Sequence, residues 1–227
     1  MSATVLSERI LFVDGEAMIV DKPAGLPVDP SRDGSLSVQN HLDSLRLGFQ
    51  RQPQAVHRLD RDTSGCLLLA RNPKALRRFN AAFEAGEVTK LYLAVLDGVP
   101  EAQEGQVDLP LAKVSSREGG WRMVPDARTG KSASTLWRIV AVSGGRALVA
   151  FRPTTGRTHQ LRVHAAAGIG VPIAGDPIYG RKGEGGMLLH ARALSMPRPP
   201  KEPAAATAPL PPQFLATGFD EAMADAA

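Results

Sequence analysis

The sequence predicts an α+β domain with a mixed, mostly antiparallel sheet and flanking helices. Short apolar runs of strand length outnumber segments with helical periodicity. Turn residues join several neighbouring runs as hairpins, and few segments show the strand–helix–strand alternation that is typical of parallel sheets. The chain has 227 residues, of which 43% are hydrophobic, and this is enough for a sizeable core.

The N-terminal segment predicts a β-hairpin followed by a helix. The apolar runs Ile10–Val13 and Met18–Val20 lie on either side of turn residues 14–16, as in a hairpin. Lys22–Pro27 then interrupts regular structure. Apolar residues at helical spacing follow between residues 36 and 47. The cap candidates of this helix are Ser35 and Asp33, and its expected buried residues are Leu42 and Leu45.

The next segments predict a buried strand, a helix and a second strand. Cys66–Ala70 is a continuous apolar run that follows a glycine. Asn72 and Pro73 are typical of a helix start, because Asn accepts a backbone N–H and Pro fits the first turn. This helix ends at Gly86, and the second strand is Leu91–Leu96. The apolar helix positions are Leu76, Phe79 and Phe83.

The C-terminal half of the chain predicts more strands than helices. Residues 134–142 and 147–151 have strand character, and so do Met187–Leu189 and the neighbourhood of Leu194. Thr158–Ala167 predicts a helix that begins at its threonine cap and ends at Gly168.

The charge balance is mildly basic, with a net charge of +4 and a sequence pI near 9.5. Arginine is concentrated in residues 51–78, 117–138 and 146–162. Clustered arginine fits a polyanion such as RNA, although an ordinary basic surface gives the same composition. One basic stretch either contacts an RNA backbone or forms a solvated loop; it contains Lys113, Arg117, Arg122, Arg128 and Lys131.

Several classes of protein are excluded by the sequence. No run of about 18 or more apolar residues predicts a membrane span, and the N-terminus lacks the pattern of a signal peptide. Cys66 is the only cysteine, which excludes an internal disulfide and a cysteine-based metal site. Glycine-rich phosphate loops, dinucleotide fingerprints and nucleophile elbows are absent. We therefore expect a cytoplasmic protein.

Asp60 is the first candidate for a catalytic residue. It lies in a turn-like segment before the predicted buried strand, and Arg58, Arg61 and Asp62 surround it in sequence. A carboxylate near guanidinium groups stays ionised and can act as a nucleophile or a base. An Asp in a surface ion-pair network would have the same sequence surroundings.

Thr155–His164 is the second candidate segment. Arg157, His159 and Arg162 lie in or near the first turn of the predicted helix, where free N–H groups and the positive dipole end favour an anion. This group suits a phosphate or a buried carboxylate, but a helix with a basic face explains it equally well. His159 and His164 are five residues apart and lack acidic or cysteine partners, so we expect no metal site.

His57–Gly65 (His-Arg-Leu-Asp-Arg-Asp-Thr-Ser-Gly) resembles the catalytic motif of the RluA family of RNA pseudouridine synthases. Other segments resemble further motifs of that family in the right order, and together the likeness covers residues 8–215. These segments are Val20–Leu26, Lys90–Tyr92, Thr155–His164, Gly175–Gly180, Leu188–Ala191 and Ala208–Phe214.

The resemblance implies a pseudouridine synthase fold, in which the sheet is split by a central catalytic cleft, with no cofactor and no metal. Residues 8–215 are expected to form the catalytic domain, and residues 216–227 a flexible tail. The motifs begin so early in the chain that an N-terminal S4-type domain is not expected. The chain is therefore most similar to the short members, which modify tRNA and 23S rRNA hairpin loops. We expect RNA as the partner, no DNA, no membrane and a monomer.

The resemblance also implies the catalytic residues. Asp60 matches the nucleophile, which attacks C6 of the uracil or C1′ of the ribose. Arg162 matches the arginine that pairs with this Asp, and the pairing would keep Asp60 ionised. Tyr92, which alone would indicate only packing, matches the residue that stacks on the uracil and takes the C5 proton.

Further positions match the residues that bind the substrate. Arg58 matches the arginine that enters the space left by the flipped base, where a stacked guanidinium offsets the cost of flipping. Leu189, or Leu188, is expected to form the apolar wall of the uracil pocket. Arg157 and His159 are expected to contact the RNA.

Two other functions stay open at this point. The same fold could bind or remodel RNA without chemistry, as an RNA chaperone. A glycoside hydrolase could also use Asp60 as its nucleophile, but it would need a second carboxylic acid as proton donor. Asp62 is the only such residue close by in the sequence.

Overall fold

The computed structural model describes residues 6–30, 34–116 and 120–227. In chain order the strands in these ranges are β1 (Ile10–Val13), β2 (Ala17–Lys22), β3 (Gln54–Ala55), β4 (Ser64–Ala70), β5 (Thr89–Leu96), β6 (Glu104–Asp108), β7 (Leu111–Ser116), β8 (Gly120–Pro125), β9 (Ser134–Ser143), β10 (Arg146–Pro153), β11 (Leu189–Arg198) and β12 (Lys201–Thr207). The α-helices are α1 (Val38–His41), α2 (Pro73–Glu84), α3 (Gln160–Val163), α4 (Pro212–Leu215) and α5 (Glu221–Asp225). A 3-10 helix spans Leu6–Arg9, and a π-helix spans His164–Ile169.

The chain divides into two compact units. Unit 1 consists of Met1–Lys90 and Ala191–Pro209, and unit 2 consists of Leu91–His190 and Leu210–Ala227. The division falls inside β11, which begins in unit 2 and continues into unit 1. Among the described residues, no helix is both long enough and apolar enough to cross a membrane.

Unit 1 is built around β4. Its strands follow the order β1, β2, β4 and β11, with β3 also paired to β4 and β12 paired to β11. The β1–β2, β2–β4, β3–β4 and β11–β12 pairs are antiparallel. All seven residues of β4 are buried, which explains why this strand has a continuous apolar sequence rather than an alternating one.

Helix α2 covers part of this sheet. The Asn72 side chain accepts a hydrogen bond from the Ala75 N–H (2.8 Å) and so caps the helix, as predicted. Gly86, with φ of 73°, follows the last turn, which confirms the predicted end of the helix. Phe79 is completely buried in a cluster that includes Leu68 of β4.

Unit 2 contains a four-stranded antiparallel sheet and a separate hairpin. The sheet has the order β5, β10, β9 and β6, and β7 pairs only with β8. Successive side chains of β10 pack in different hydrophobic clusters, because side chains alternate between the two faces of a strand. Val149 packs in a cluster with Leu161, whereas Leu148 packs in a cluster with Phe214. Both faces of β10 are therefore covered.

The structure confirms the α+β class and most of the predicted elements. The first hairpin is β1 and β2. The predicted strands at residues 66–70, 91–96, 134–142 and 147–151 are β4, β5, β9 and β10. The two late segments, expected at Met187–Leu189 and near Leu194, belong to one strand, β11, which starts at Leu189 and leaves out Met187 and Leu188.

The helix predicted over residues 36–47 is much shorter than expected. Only Val38–His41 is α-helical, and its cap is Ser37 rather than Ser35, while the other candidate cap, Asp33, lies outside the described residues. The Asn40 side chain bonds the Ser37 N–H at 2.9 Å, which fixes the start two residues later than predicted. Leu42 and Leu45 are buried as expected.

The bounds predicted for the helix over Thr158–Ala167 were wrong at both ends. The helix begins at Gln160, directly after His159, which adopts a left-handed conformation (φ 53°), and it continues as a π-helix to Ile169. Gly168 does not end it. A Cβ at Gly168 would lie 2.4 Å from a methyl carbon of Val107, so this glycine permits close packing instead.

Two further segments differ from the sequence expectations. In the basic stretch that starts at Lys113, Lys113 lies on β7 and Arg122 on β8, whereas Arg128 and Lys131 follow β8 outside these strands. Arg117 of that stretch lies outside the described residues. Residues 216–227, expected to form a flexible tail, contain α5, in which Ala224 is buried.

We predict that Gly65→Ala strongly destabilises the protein. Gly65 has φ of +104°, and a Cβ there would lie 2.3 Å from the Ala191 carbonyl oxygen. Strain and overpacking together should lower the free energy of unfolding by about 3 kcal/mol. Gly15→Ala is the matched control, because no atom lies within 4 Å of its Cβ position. Denaturant unfolding measures both variants, and equal effects would contradict the prediction.

Candidate active site

The Asp60 turn, residues 57–63, connects β3 to β4 within unit 1. The Thr63 N–H donates a hydrogen bond to the Asp60 carbonyl oxygen (3.1 Å), which closes the turn. Asp60 is half-buried, whereas Thr63 is buried and leads directly into the buried strand β4. The candidate carboxylate therefore lies on a short turn that is attached to a completely buried strand of the unit.

His57 fixes the first residue of the Asp60 turn to β4. Its Nε2 atom accepts a hydrogen bond from the Leu68 N–H (3.0 Å), and its ring stacks on Phe83 with a centroid distance of 4.9 Å. Burial lowers the pKa of His57 to about 3, and the nearby charge of Lys90 acts in the same direction. The imidazole is therefore neutral at physiological pH, as its acceptor role requires.

Lys22 connects the end of β2 to the Asp60 turn. Its side chain is completely buried. The ammonium Nζ donates hydrogen bonds to the carbonyl oxygens of Pro23 (2.9 Å), Leu26 (2.7 Å) and Arg61 (3.0 Å). The Arg61 carbonyl also accepts from the Gly25 N–H at 2.9 Å. The residue that follows Asp60 is thus held in place by two donors from one loop.

The hydrogen-bond acceptors around the Lys22 side chain favour its charged form. Burial lowers the pKa of Lys22 to about 7, while the charges of Asp62, Asp60 and Asp21 act in the opposite direction. Three carbonyl acceptors match the three N–H donors of an ammonium group, whereas a neutral amine has only two. Lys22 therefore places a buried positive charge beside the Asp60 turn.

Arg58 extends from the Asp60 turn into solvent. Its Nη1 atom lies 3.0 Å from a carboxylate oxygen of Asp29, and the two side chains are 69% and 61% exposed. Exposed ion pairs contribute only about 0–1 kcal/mol, so this one is easily exchanged for another partner. The guanidinium is accessible to a ligand, as the expected role of Arg58 requires.

Arg162 lies in unit 2 and forms a buried, bidentate ion pair with Asp176. Its Nε and Nη2 atoms lie 2.7 and 2.8 Å from the two carboxylate oxygens. Asp176 also accepts hydrogen bonds from the backbone N–H groups of Ile178 (2.8 Å) and Tyr179 (3.1 Å). Burial acts to raise the pKa of Asp176, but the bonds and charge of Arg162 outweigh it and hold that pKa below its usual value.

His159 is buried among aromatic side chains rather than exposed on a basic helix face. Its Nδ1 lies 2.9 Å from the Tyr179 hydroxyl, which also accepts a hydrogen bond from the Met123 N–H (2.9 Å). The Trp121 ring stacks on the imidazole with a centroid distance of 4.8 Å. His159 therefore links α3 to the β7–β8 hairpin and to the loop that carries Asp176.

Arg157 is exposed at the start of α3, but its polar groups have protein partners. Its Nε donates to the Ser132 carbonyl (2.9 Å), and its backbone N–H donates to the Gln160 side chain (2.9 Å). Thr158, which sequence analysis assigned as the cap of this helix, is not its cap: the N-cap is His159, whose side chain makes no capping hydrogen bond, and the Gln160 side chain bonds an N–H group that lies before the helix.

Tyr92 and Leu189 belong to the same apolar cluster of unit 2. Tyr92 is half-buried on β5 and packs against the cluster that contains Leu189 and Leu161. Leu188 belongs to the other cluster of this unit. Of the two leucines considered for the wall of a uracil pocket, Leu189 is therefore the one on the side of Tyr92.

Sequence analysis missed Lys22, Asp176 and Tyr179, although each lies in a segment that resembles a family motif. The local signals were a lysine before Pro-Ala-Gly and an aspartate before Pro-Ile-Tyr. Among the described residues, no group of three or more His, Cys, Asp or Glu side chains could hold a metal ion. The expected pairing of Arg162 with Asp60 joins residues of different units and stays a prediction.

Comparison with known proteins gives consistent results. The family described as RNA pseudouridylate synthase matches residues 16–167. The chain is 60% identical over 218 residues to an uncharacterized RNA pseudouridine synthase of Zymomonas mobilis, covering 95% of this chain and 99% of that protein. It is 38% identical over 202 residues to the dual-specificity RNA pseudouridine synthase RluA of Escherichia coli, covering 84% and 87%.

A solved structure is similar over almost the whole chain. It is that of human RNA pseudouridylate synthase domain containing 4, with a TM-score of 0.77 and 27% identity, and the match covers 93% of this chain and 92% of that one. Some other curated relatives are longer, and the chain spans between 56% and 66% of their length.

We predict that acid destabilises the protein partly through His57. The unfolded chain takes up a proton at this residue below about pH 6.5, whereas the folded protein does so only near pH 3. The unfolded state binds more protons between these values, so the free energy of unfolding falls as the pH decreases from about 6.5 to about 3. Denaturant titrations across this pH range should show a smaller decrease in the free energy of unfolding for His57→Gln than for wild type. Identical slopes would contradict the assignment.

We predict that Asp176→Asn removes about 3 kcal/mol from the free energy of unfolding, because a buried guanidinium loses its bidentate carboxylate. Asp97→Asn provides the comparison. Asp97 pairs with Arg146 and with Arg181, whose side chains are 42% and 85% exposed, so its loss should cost less than about 1 kcal/mol. Denaturant unfolding measures both variants, and a similar cost for the two would show that burial is not the deciding factor.

Proposed function

We propose that this chain, which belongs to the RNA pseudouridylate synthase family, uses Asp60 as the nucleophile that isomerises uridine to pseudouridine. The protein is an RNA pseudouridine synthase and therefore an isomerase. The reaction breaks the bond between N1 and C1′, turns the uracil and forms a bond between C5 and C1′. C5 loses a proton and N1 gains one, so the product is an isomer of the substrate.

The observation that carries this proposal is that several contacts hold the backbone of the Asp60 turn in a defined position. A nucleophile must be held in a defined position to attack the sugar or the base. The closed turn, the buried strand that follows it and the Lys22 ammonium that bonds the Arg61 carbonyl all restrict the Asp60 backbone. An ordinary surface Asp in an ion-pair network needs none of these restraints.

The proposed roles of the other residues follow from their surroundings. Tyr92 offers a half-buried aromatic ring for stacking on the uracil, and its hydroxyl is the group that takes the C5 proton. Leu189 contributes apolar surface on the same side as Tyr92. Arg162, oriented by Asp176, supplies the guanidinium that stabilises the Asp60 carboxylate.

Arg58 is proposed to occupy the gap left by the flipped uridine. Its exposed guanidinium is held only by a solvent-accessible pair with Asp29. Flipping costs a few kcal/mol and is easiest in a loop, where the base is already poorly stacked. We therefore propose uridines in stem-loops of tRNA, 23S rRNA or both as the substrate, in line with the dual specificity in the name of the RluA relative.

We predict that Asp60→Asn abolishes pseudouridine formation, because an amide cannot act as the nucleophile. Unmodified tRNA and 23S rRNA transcripts are incubated with each protein, and pseudouridine is then mapped chemically. The affinity for RNA should change less than about threefold, since Asp60 contributes to the reaction more than to binding.

Asp62→Asn is the matched control in the same turn, and it should keep turnover. Loss of activity in the Asp62 variant, together with release of free uracil by the wild type, would indicate hydrolysis instead. RNA binding without any product from a folded wild-type protein would indicate a binding module on the same fold.

A further inference from the structure

A polar cavity of about 500 Å³ lies in unit 1, at the end of β4 opposite to the Asp60 turn. We call it the arginine cavity. Its lining includes Ala70 at the end of β4 and Gln54 of β3, which pair in the sheet. The other polar side chains of the lining that matter here are Arg46, Arg51, Arg71, Gln39 and Asn72. A cavity of this size can accept a nucleotide.

The cavity lining is cationic and rich in amide groups. The three arginines in the lining face no carboxylate among the other residues of that lining, which are glutamines, an asparagine and apolar residues. Guanidinium groups bind phosphate oxygens, and Gln and Asn side chains donate to and accept from base edges and sugars. This combination is typical of a surface that binds nucleic acid rather than of one that binds a protein.

Arg71 provides a fixed positive charge at the base of the cavity. It is buried and donates to two carbonyl oxygens, those of Asp14 (2.6 Å) and Arg46 (3.0 Å). Its guanidinium also lies 3.8 Å from the centre of the Phe49 ring. Carbonyl groups satisfy these donors of Arg71 without cancelling its charge, and the nearby Asp14 carboxylate, which also acts on Arg71, is paired with Arg198.

Arg46 contributes a partly exposed guanidinium to the cavity lining. Its Nε is buried and has no hydrogen-bond partner among the described residues. Its Nη2 lies 2.7 Å from Asp43, but the two side chains are 43% and 71% exposed, so the pair is weak and exchangeable. The exposed end of the Arg46 guanidinium can therefore exchange Asp43 for a phosphate oxygen in the cavity.

The distance between the cavity and the Asp60 turn indicates which part of an RNA the cavity would contact. β4 runs from Ser64, directly after the turn, to Ala70 in the cavity lining. Six steps along a strand cover about 20 Å. This separation is too large for the target nucleotide itself to reach the cavity, but a neighbouring part of the same stem-loop can span it.

We infer that the arginine cavity binds the sugar–phosphate backbone of the substrate RNA at a nucleotide remote from the target uridine. This inference rests on the proposed function for the identity of the RNA. The cavity makes a sequence-independent contact that fixes the stem-loop on unit 1.

The first test measures binding of an unmodified tRNA transcript at several salt concentrations. Arg51 is exposed in the lining, so Arg51→Ala changes the charge without disturbing the core. Loss of one phosphate contact should reduce the slope of log K against log salt by about one. Arg51→Lys should keep the slope. Arg77→Ala is the matched control, because Arg77 is exposed on α2 but does not line the cavity.

The second test locates the RNA directly. Burial raises the pKa of the Cys66 thiol to about 12, so this single cysteine is unreactive. A Gln50→Cys variant therefore carries one reactive thiol at the exposed rim of the cavity, to which an iron chelate that generates hydroxyl radicals can be attached. Cleavage should occur in the tRNA transcript at nucleotides away from the modified uridine, and an Arg77→Cys variant should not give these cuts.

The outcomes separate this inference from the proposed function. An Arg51→Ala protein with an unchanged salt slope, or a Gln50→Cys protein that does not cut the RNA, would overturn the cavity as an RNA site even if the wild type forms pseudouridine. A reduced slope and specific cuts, with a wild type that forms no pseudouridine, would support the cavity and overturn the proposed chemistry.

Discussion

The ammonium group of Lys22 is the contact on which the Asp60 turn depends. A buried charge is costly unless all its donors are satisfied, and here three carbonyl oxygens satisfy them. Two of these carbonyls belong to the loop after β2, and the third belongs to Arg61, 39 residues away in sequence. One side chain therefore joins the two segments that resemble the first two motifs of the family, and it fixes the backbone next to Asp60.

Unit 2 also contains a buried charge whose hydrogen-bond partners are fixed. The Arg162 guanidinium is buried and is held by the Asp176 carboxylate through two nitrogens, while backbone N–H groups complete the coordination of Asp176. Tyr179 then connects this loop to His159 and Met123. In both units a buried charge with several fixed partners orients a candidate site residue, and such contacts keep the residue in a defined position.

The elements that could be predicted from sequence are those with local signals. β4 was recognisable because every residue is buried, and α2 because Asn72 caps it and Gly86 follows it. The start of α1 was not recognisable, because Ser35 and Ser37 are equivalent as caps until the Asn40 side chain is placed. Gly168 was misinterpreted for the same reason, since its packing partner Val107 is 61 residues away.

The prediction of the candidate site from sequence was limited in the same way, because long-range contacts could not be foreseen. The family resemblance identified Asp60, Tyr92 and Arg162, but residue types alone would place Lys22 on the surface and give Asp176 no role. The burial of Lys22 depends on a carbonyl contributed by another segment, and the role of Asp176 depends on a turn that directs two N–H groups at its carboxylate. Such contacts exist only after the chain has folded, so spacing and composition cannot reveal them.

The most direct measurement of the dependence on Lys22 is the single-turnover rate of pseudouridine formation by Lys22→Met. The rate is measured at a temperature at which circular dichroism shows the variant to be folded. Methionine is also unbranched and about one heavy atom shorter than lysine, and it removes all three donors. We predict that the variant binds RNA normally and reacts about tenfold more slowly or worse, because the nucleophile is no longer held in position. A folded Lys22→Met protein that reacts at the wild-type rate would contradict the central role of this ammonium group.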